Sequence, residues 1–289
     1  MPRVSIGLTV FNSDRYLEEC LQSLLAQIFE DFELIISDNA SCDRTQEIAL
    51  AYAARDDRVR YVRNRYNLGL AGNFNQAFRL SSGEFFKWAA YDDLCSHDFL
   101  LRCVEVLDRD PGVVLAYPRT EGIDEQGRVT VRHGPGPDLT SPDPATRFSR
   151  IMRAPFWGTP LFGLVRADVL RLTGLMPSNI APDHVLLAEL SLRGRFQLIP
   201  EDGLFNRDHP GRWYVKSSTF RRAQQVDPQL GKSAFLLRLR LFQSYLSAIG
   251  RVPLDEPSRL RCYLAVGRWV ADRVAARALS PDRRLGRGT

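Results

Sequence analysis

The sequence predicts an α/β protein: a mostly parallel sheet flanked by helices, followed by a C-terminal helical extension. Three observations carry this. Short apolar runs alternate with amphipathic stretches through residues 3–120. Polar residues recur where several of those runs end, at Asn12, Asp38 and Asp92-Asp93. The last quarter of the chain changes to long stretches with helical spacing and a strongly basic balance. Strands that alternate with helices pair in parallel through right-handed crossovers.

Each element follows from its own residues. Val4–Val10 is an apolar strand, and Asn12-Ser13-Asp14 offers helix caps. Leu17, Cys20, Leu21, Leu24, Leu25 and Ile28 then recur at the spacing of one helix face. Phe32–Ser37 is a second strand, and Asp43 with Gln46 resembles a capping box opening a helix to about Ala54. Val59–Val62 is a third strand. A helix over Ala71–Leu80 stops at Ser81-Ser82-Gly83, and Phe85–Tyr91 is a buried strand. A helix over Phe99–Leu107 and a strand over Val113–Tyr117 close the series. Beyond Tyr117, Asp124–Gly127 is a turn and His133–Pro144 a Gly/Pro-rich loop. Leu161–Val165 is a strand, a helix opens at Pro182-Asp183, and Phe196–Ile199 is a strand. Two amphipathic helices near Ala234–Ile249 and Ser258–Ala276 finish the chain, and no internal repeat is present.

Composition narrows the function classes. The 289 residues, 44% hydrophobic, suffice for one large domain with an appendage. No apolar run reaches the ~20 residues that span a bilayer. The opening residues lack the length and cleavage site of a signal peptide, so the expected location is cytoplasmic. Cys20, Cys42, Cys95, Cys103 and Cys262 form no CxxC pair, which fits reduced thiols and gives no zinc site. The net charge of +5 divides unevenly. Residues 1–211 hold 23 basic and 29 acidic side chains, and residues 212–289 hold 16 and 5. A basic tail on an acidic body attracts anionic surfaces, although the same surplus also serves solubility.

The pair Asp92-Asp93 ends an aromatic, apolar strand. Unpaired carboxylates are expensive in a core, so a cation or a metal-bound phosphate belongs beside them. The competing reading is a solvated turn in which Asp93 or Ser96 caps the next helix. In open α/β sheets ligands bind beyond the carboxyl ends of the strands, where Asn12, Asp38 and this pair fall.

Several motifs, taken in order, resemble the family 2 glycosyltransferases. Val4–Phe11 with Asn12, Leu17-x3-Leu21-x2-Leu24-x2-Gln27, and Phe32-Glu33-Leu34-Ile35-Ile36-Ser37-Asp38-Asn39-Ala40-Ser41-x-Asp43 are similar to the family's opening. Asn67-Leu68-Gly69, Asn73-x-Asn75, Gly83-Glu84 and Tyr91-Asp92-Asp93 continue the series, strongly over residues 3–120 and more loosely to about 212. The resemblance implies the GT-A fold and divides the chain into three parts. These are a nucleotide-sugar half (1–120), an acceptor-side half (121–215) and a basic helical extension (216–289).

It also implies roles. Thr9, Val10 and Phe11 would meet the nucleobase with Asn12 nearby, and Asp38 would accept from a base N–H, which suits uracil or thymine. Asn67, Gly69 and Asn73 would line the nucleotide pocket, though each also suits a turn or helix cap. Asp93 would hold Mg²⁺ or Mn²⁺ bridging the phosphates, and Asp92 would serve the ribose or the metal's surroundings. The usual motif is Asp-x-Asp, and Ala90 stands where the first carboxylate often sits. Asp183 matches the family's catalytic base, with Pro182 in place of the usual Glu; His184 is a rival base. Trp157 would stack on a sugar or pack in the core. Arg207 or Arg212 would offset phosphate charge, and His209 would bind metal or diphosphate.

The activity so implied is inverting transfer from a UDP- or dTDP-sugar to a glycan, lipid-linked or small-molecule acceptor. Nucleic acid is not an expected partner. Homo-oligomer formation and a peripheral contact with the inner membrane face through the basic helices stay open. The alternatives are an inactive nucleotide-sugar-binding scaffold and a sugar nucleotidyltransferase. The latter usually has a Gly-rich basic loop where this chain has Phe11-Asn12-Ser13-Asp14. A GxGxxG cofactor loop is absent.

Overall fold

Val4–Val10 (β1) is buried at every position, as a strand covered on both faces of a parallel sheet must be. In a computed structural model of the chain, describing residues 1–154, 159–211, 224–228 and 233–278, β1 lies between Phe32–Asp38 (β2) and Phe85–Ala90 (β4), parallel to both. Val59–Arg63 (β3) extends the sheet beyond β2. The connecting helices are Leu17–Leu25 (α1), Thr45–Ala53 (α2) and Gly69–Arg79 (α3). Their apolar faces bury Leu17, Cys20, Leu21 and Leu24 on α1, and Ala71, Phe74, Ala77 and Phe78 on α3.

The second half is mixed. Leu94–Cys95 (β5), Phe99–Arg109 (α4), Val113–Ile123 (β6) and Val129–Arg132 (β7) precede Pro144–Arg153 (α5) and a 3₁₀ turn at Thr159–Phe162. Leu164–Arg166 (β8) runs antiparallel to both β4 and β6 and joins the two halves. Ala167–Arg171 (α6), Pro182–Arg193 (α7) and Arg195–Arg207 (β9) follow. The described strands form one sheet in the order β3-β2-β1-β4-β8-β6-β9-β5, with β7 on β6. Its long pairings are parallel and its short ones antiparallel.

Two strands outrun their expected length. β6 and β9 stay paired from Val113↔Arg195 to Ile123↔Arg207, across register shifts beside Pro118. Proline cannot donate to a ladder and is confined to edges and irregularities, so Pro118 argues locally for a strand end. Here Ile199 pairs with Pro118 and Asp202 with Arg119, so Pro200 falls in the irregularity and both strands resume.

Helix starts also differ. α1 begins at Leu17 with no side-chain cap on the residue before it, whereas Asp43 Oδ1 caps the start of α2 by accepting from Thr45 N at 3.0 Å. Instead the loop after β1 is bound to the loop after β2. Asn12 N donates to Ser41 Oγ at 2.9 Å, Asn12 Oδ1 accepts from Cys42 N at 2.9 Å, and Ser13 N donates to Thr45 Oγ1 at 2.8 Å. Asn12 takes a left-handed conformation (φ 50°) to do this.

One core lies under α1, α2 and α4. The other lies under α3, α5, α6 and α7, and is closed by Ala234–Gly250 (α8) and Glu256–Ala278 (α9). α8 buries Leu237, Leu241, Tyr245, Ala248 and Ile249, while α9 buries Cys262 and Val266. Among the described residues no helix is long and apolar enough to cross a membrane.

Candidate active site

The carboxyl ends of β1, β4, β6 and β9 open into a cleft of about 770 Å³. Thr9, Val10, Phe11 and Asn12 reach it from the end of β1, Ala90–Asp93 from β4, Thr120 from β6 and Asn206 from β9. Pro182 and Asp183 reach it from the first turn of α7, and His133 from the loop after β7. Leu70, Phe74, Leu161, Phe162 and Met176 give an apolar side, and Gln224, Gln225 and Pro228 complete the wall.

Asn67 and Asn73 line the cleft within an amide network. Asn67 Oδ1 accepts from Asn39 Nδ2 and from Gly69 N, both at 2.8 Å. Asn73 Nδ2 donates to Ser37 O at 3.0 Å, and its Oδ1 accepts from Ser37 Oγ at 2.7 Å and Asn64 Nδ2 at 2.9 Å. Gly69 lies behind that lining. Its φ is 74°, and a Cβ there would stand 2.4 Å from Val226 O, so it is the seat of the 224–228 segment rather than a pocket residue.

Asp38 is fully buried and does not line the cleft. Its Oδ1 accepts from Ser41 N at 2.9 Å and Ser41 Oγ at 2.6 Å; its Oδ2 accepts from Tyr61 OH at 2.6 Å and Arg63 NH1 at 2.8 Å. Both oxygens are therefore occupied, which corrects the expectation of an open acceptor for a base N–H. A base would have to displace Tyr61 or Arg63.

The acidic pair is held from below. Asn206 Nδ2 donates to both oxygens of Asp93 at 2.9 Å, and Arg207 N donates to Asp93 Oδ1 at 3.0 Å. His209 Nε2 lies 2.9 Å from Asp92 Oδ2, with its ring 4.9 Å from that of Tyr16. Arg207 corrects a second expectation. Its side chain has no exposed surface, and it donates to Glu19 Oε2 at 2.6 Å and to the carbonyls of Asp92, Asp124 and Glu125, over the Tyr16 ring. It braces the floor and does not face a phosphate. Trp157 and Arg212 lie outside the described residues.

Asp183 sits half-buried at the cleft wall, and its Oδ1 accepts from His184 N at 2.9 Å. Protein packed around the carboxyl raises its pKa from 3.8 to about 6. His184, the rival base, is absent from the lining. Its Nδ1 lies 2.7 Å from Tyr245 OH, and burial pushes its pKa down to about 4. Asn39, Thr120, His133 and Asn206 are cleft residues to which the sequence assigned no role; Asn39 stands inside the quoted Asp38-Asn39 motif and Asn206 beside Arg207, while Thr120 and His133 carry no such signal.

Among the described residues no group of three His, Cys, Asp or Glu is arranged to hold a metal by itself. Mg²⁺ and Mn²⁺ need no such cage, since they bind through one or two carboxylates together with substrate phosphates. Two adjacent carboxylates at a cleft floor whose described lining has no Lys or Arg fit a cation that arrives with an anionic ligand.

Comparison with known proteins bears on this geometry. The model of the family described as "Glycosyl transferase family 2" matches residues 5–164, more than half of the chain. The putative glycosyltransferase EpsE of Bacillus subtilis is 36% identical over 94 residues, 32% of this chain and 34% of that protein. The chain thus spans well under half the length of the curated relatives it matches. S. aureus TarS 1–349, solved in complex with UDP-GlcNAc, superposes with a TM-score of 0.67 at 16% identity, over 94% of this chain and 73% of that one. A mannosyltransferase from Pyrobaculum calidifontis, in complex with GDP-Man and Mn²⁺, gives a TM-score of 0.55 at 18% identity, covering 96% and 76%.

Proposed function

The chain belongs to glycosyl transferase family 2 and has its GT-A fold, and from that premise we propose that it moves a sugar from a nucleoside-diphosphate sugar to an acceptor hydroxyl, with Asp183 as general base. One observation carries the reading: a carboxyl with a pKa raised to about 6 faces the same cleft as the Asp92-Asp93 pair. A base near that pKa is mostly ionised at neutral pH, yet takes a proton more readily than an ordinary carboxylate.

Asp183 takes the acceptor hydroxyl's proton as the oxygen bonds to the anomeric carbon. The bond from that carbon to the phosphate oxygen breaks, and the nucleoside diphosphate leaves with the electron pair. Single displacement inverts the configuration. Asp93, held by Asn206, and Asp92 with His209 are the groups that would hold Mg²⁺ or Mn²⁺ beside the diphosphate. Bound there, the ion would neutralise charge on the departing group. Thr9–Asn12 and the amide network around Asn67 and Asn73 would receive the nucleoside. A UDP- or dTDP-sugar is the proposed donor; TarS, of similar fold, is solved with UDP-GlcNAc and the Pyrobaculum mannosyltransferase with GDP-Man.

Thermal unfolding with UDP, dTDP and GDP, each with and without Mn²⁺, tests the donor. A ligand at about 100 times its Kd stabilises the folded state by about 2.7 kcal/mol. A metal-dependent rise with a pyrimidine diphosphate is expected; no rise with any of the three overturns the assignment.

A further inference from the structure

α9 is apolar on two opposite sides. Cys262 and Val266 face the core, while Leu260, Leu264, Gly267, Ala271 and Ala275 recur along its exposed side at helical spacing. Leu260 is 60% and Leu264 53% exposed, and a Cβ added at Gly267 would meet nothing within 4 Å. The stripe runs about 22 Å at 1.5 Å per residue. A surface helix ordinarily turns charged residues to that side, and an apolar outer face needs a partner. Exposed Arg268 flanks the stripe, as does Arg261, which is ion-paired with Asp143 at 2.7 Å, and Asp272 lies nearby. α8 repeats the arrangement more weakly, with Leu236 and Leu239 exposed beside Arg240. Residues 233–278 hold eight arginines against Asp255, Glu256 and Asp272.

We propose that the outer faces of α8 and α9 dock this protein on an anionic lipid surface. Leucines flanked by arginines match the layered chemistry of an interface, with apolar atoms below and phosphate above. A second copy fits less well. Antiparallel two-fold pairing through the stripe would set each copy's arginine flank against the other's, and closed pairs are the usual self-association. The surface lies one helix layer behind the cleft, because α8 packs on α7, whose first turn bears Asp183. The proposal does not depend on which reaction the cleft performs.

The test is flotation of the full chain with vesicles of phosphatidylcholine, alone or with about one third phosphatidylglycerol. Flotation with the anionic vesicles only is expected. It should weaken about fivefold in Arg240→Ser and again in Arg268→Ser. It should fall more than tenfold in Leu260→Ser with Leu264→Ser. All four side chains are exposed, so each variant should keep the circular dichroism and unfolding midpoint of the parent; Arg268→Lys should retain binding. Absence of flotation, flotation indifferent to lipid charge, or variants that float like the parent would each overturn the proposal. So would a dimer in light scattering that the double leucine variant dissolves while vesicles go unbound, since the occupant would then be a second copy.

Discussion

Replacing Asp183 by asparagine should stabilise the protein at neutral pH while removing transfer. The Asp183 carboxyl has a pKa of about 6 against an ordinary 3.8, so between those values the folded state binds more protons than the unfolded one. Stability therefore falls as pH rises through this window and stays lower above it. A shift of about two units corresponds to roughly 2–3 kcal/mol. Partial access to solvent from the cleft places the expected gain near the lower figure. In a domain of this size about 2 kcal/mol moves the midpoint by about 4–8 °C. Asparagine keeps the oxygen that accepts from His184 N, so the local fold should survive. The assay is thermal unfolding of both proteins from about pH 4 to about pH 8, alongside transfer at each pH. The curves should coincide at the acid end and separate as Asp183 ionises, while activity drops at least about a hundredfold. Midpoints that stay parallel across the range would refute the desolvated-carboxyl argument, and near-parental transfer would refute the base.

Three further outcomes follow from the same contacts. Arg207→Met should destabilise the fold by about 2–4 kcal/mol, read as a lower urea midpoint, because it leaves three backbone carbonyls without their donor, while the exposed Glu19 carboxylate regains water. Tyr245→Phe should cost about 1 kcal/mol, read as a lower urea midpoint, by loss of the hydroxyl beside His184. Asp93→Asn should make the nucleotide-induced rise in unfolding midpoint insensitive to Mn²⁺, seen by repeating the titration with and without the ion.

The first three strands and their helices were legible because a parallel strand buried on both faces must be an unbroken apolar run, and α1 and α3 bury one stripe each. β6 and β9 outrun the predicted strands although Pro118 and Pro200 argue locally for an end. Only the pairing of the two strands, about eighty positions apart, keeps them going. Motif order named Asp93 and Asp183, and the fold brings both to one cleft. Motif order misjudged Asp38 and Arg207 for a common reason. What a charged side chain can offer a ligand depends on what already holds it. Arg63 is 25 residues from Asp38, and Glu19 is 188 from Arg207. No spacing in a motif encodes such partners.

The seating of Val226 and Pro228 against Gly69 sets how members of this family can be recombined. The segment that leads into α8 is wedged on the first turn of α3, so the C-terminal helices do not form a detachable cassette. A chimera joined between positions 212 and 233 would pair one parent's cleft with another's wall at Gln224 and Gln225. An exchange of specificity with a relative should carry the start of α3 and the 224–228 segment together.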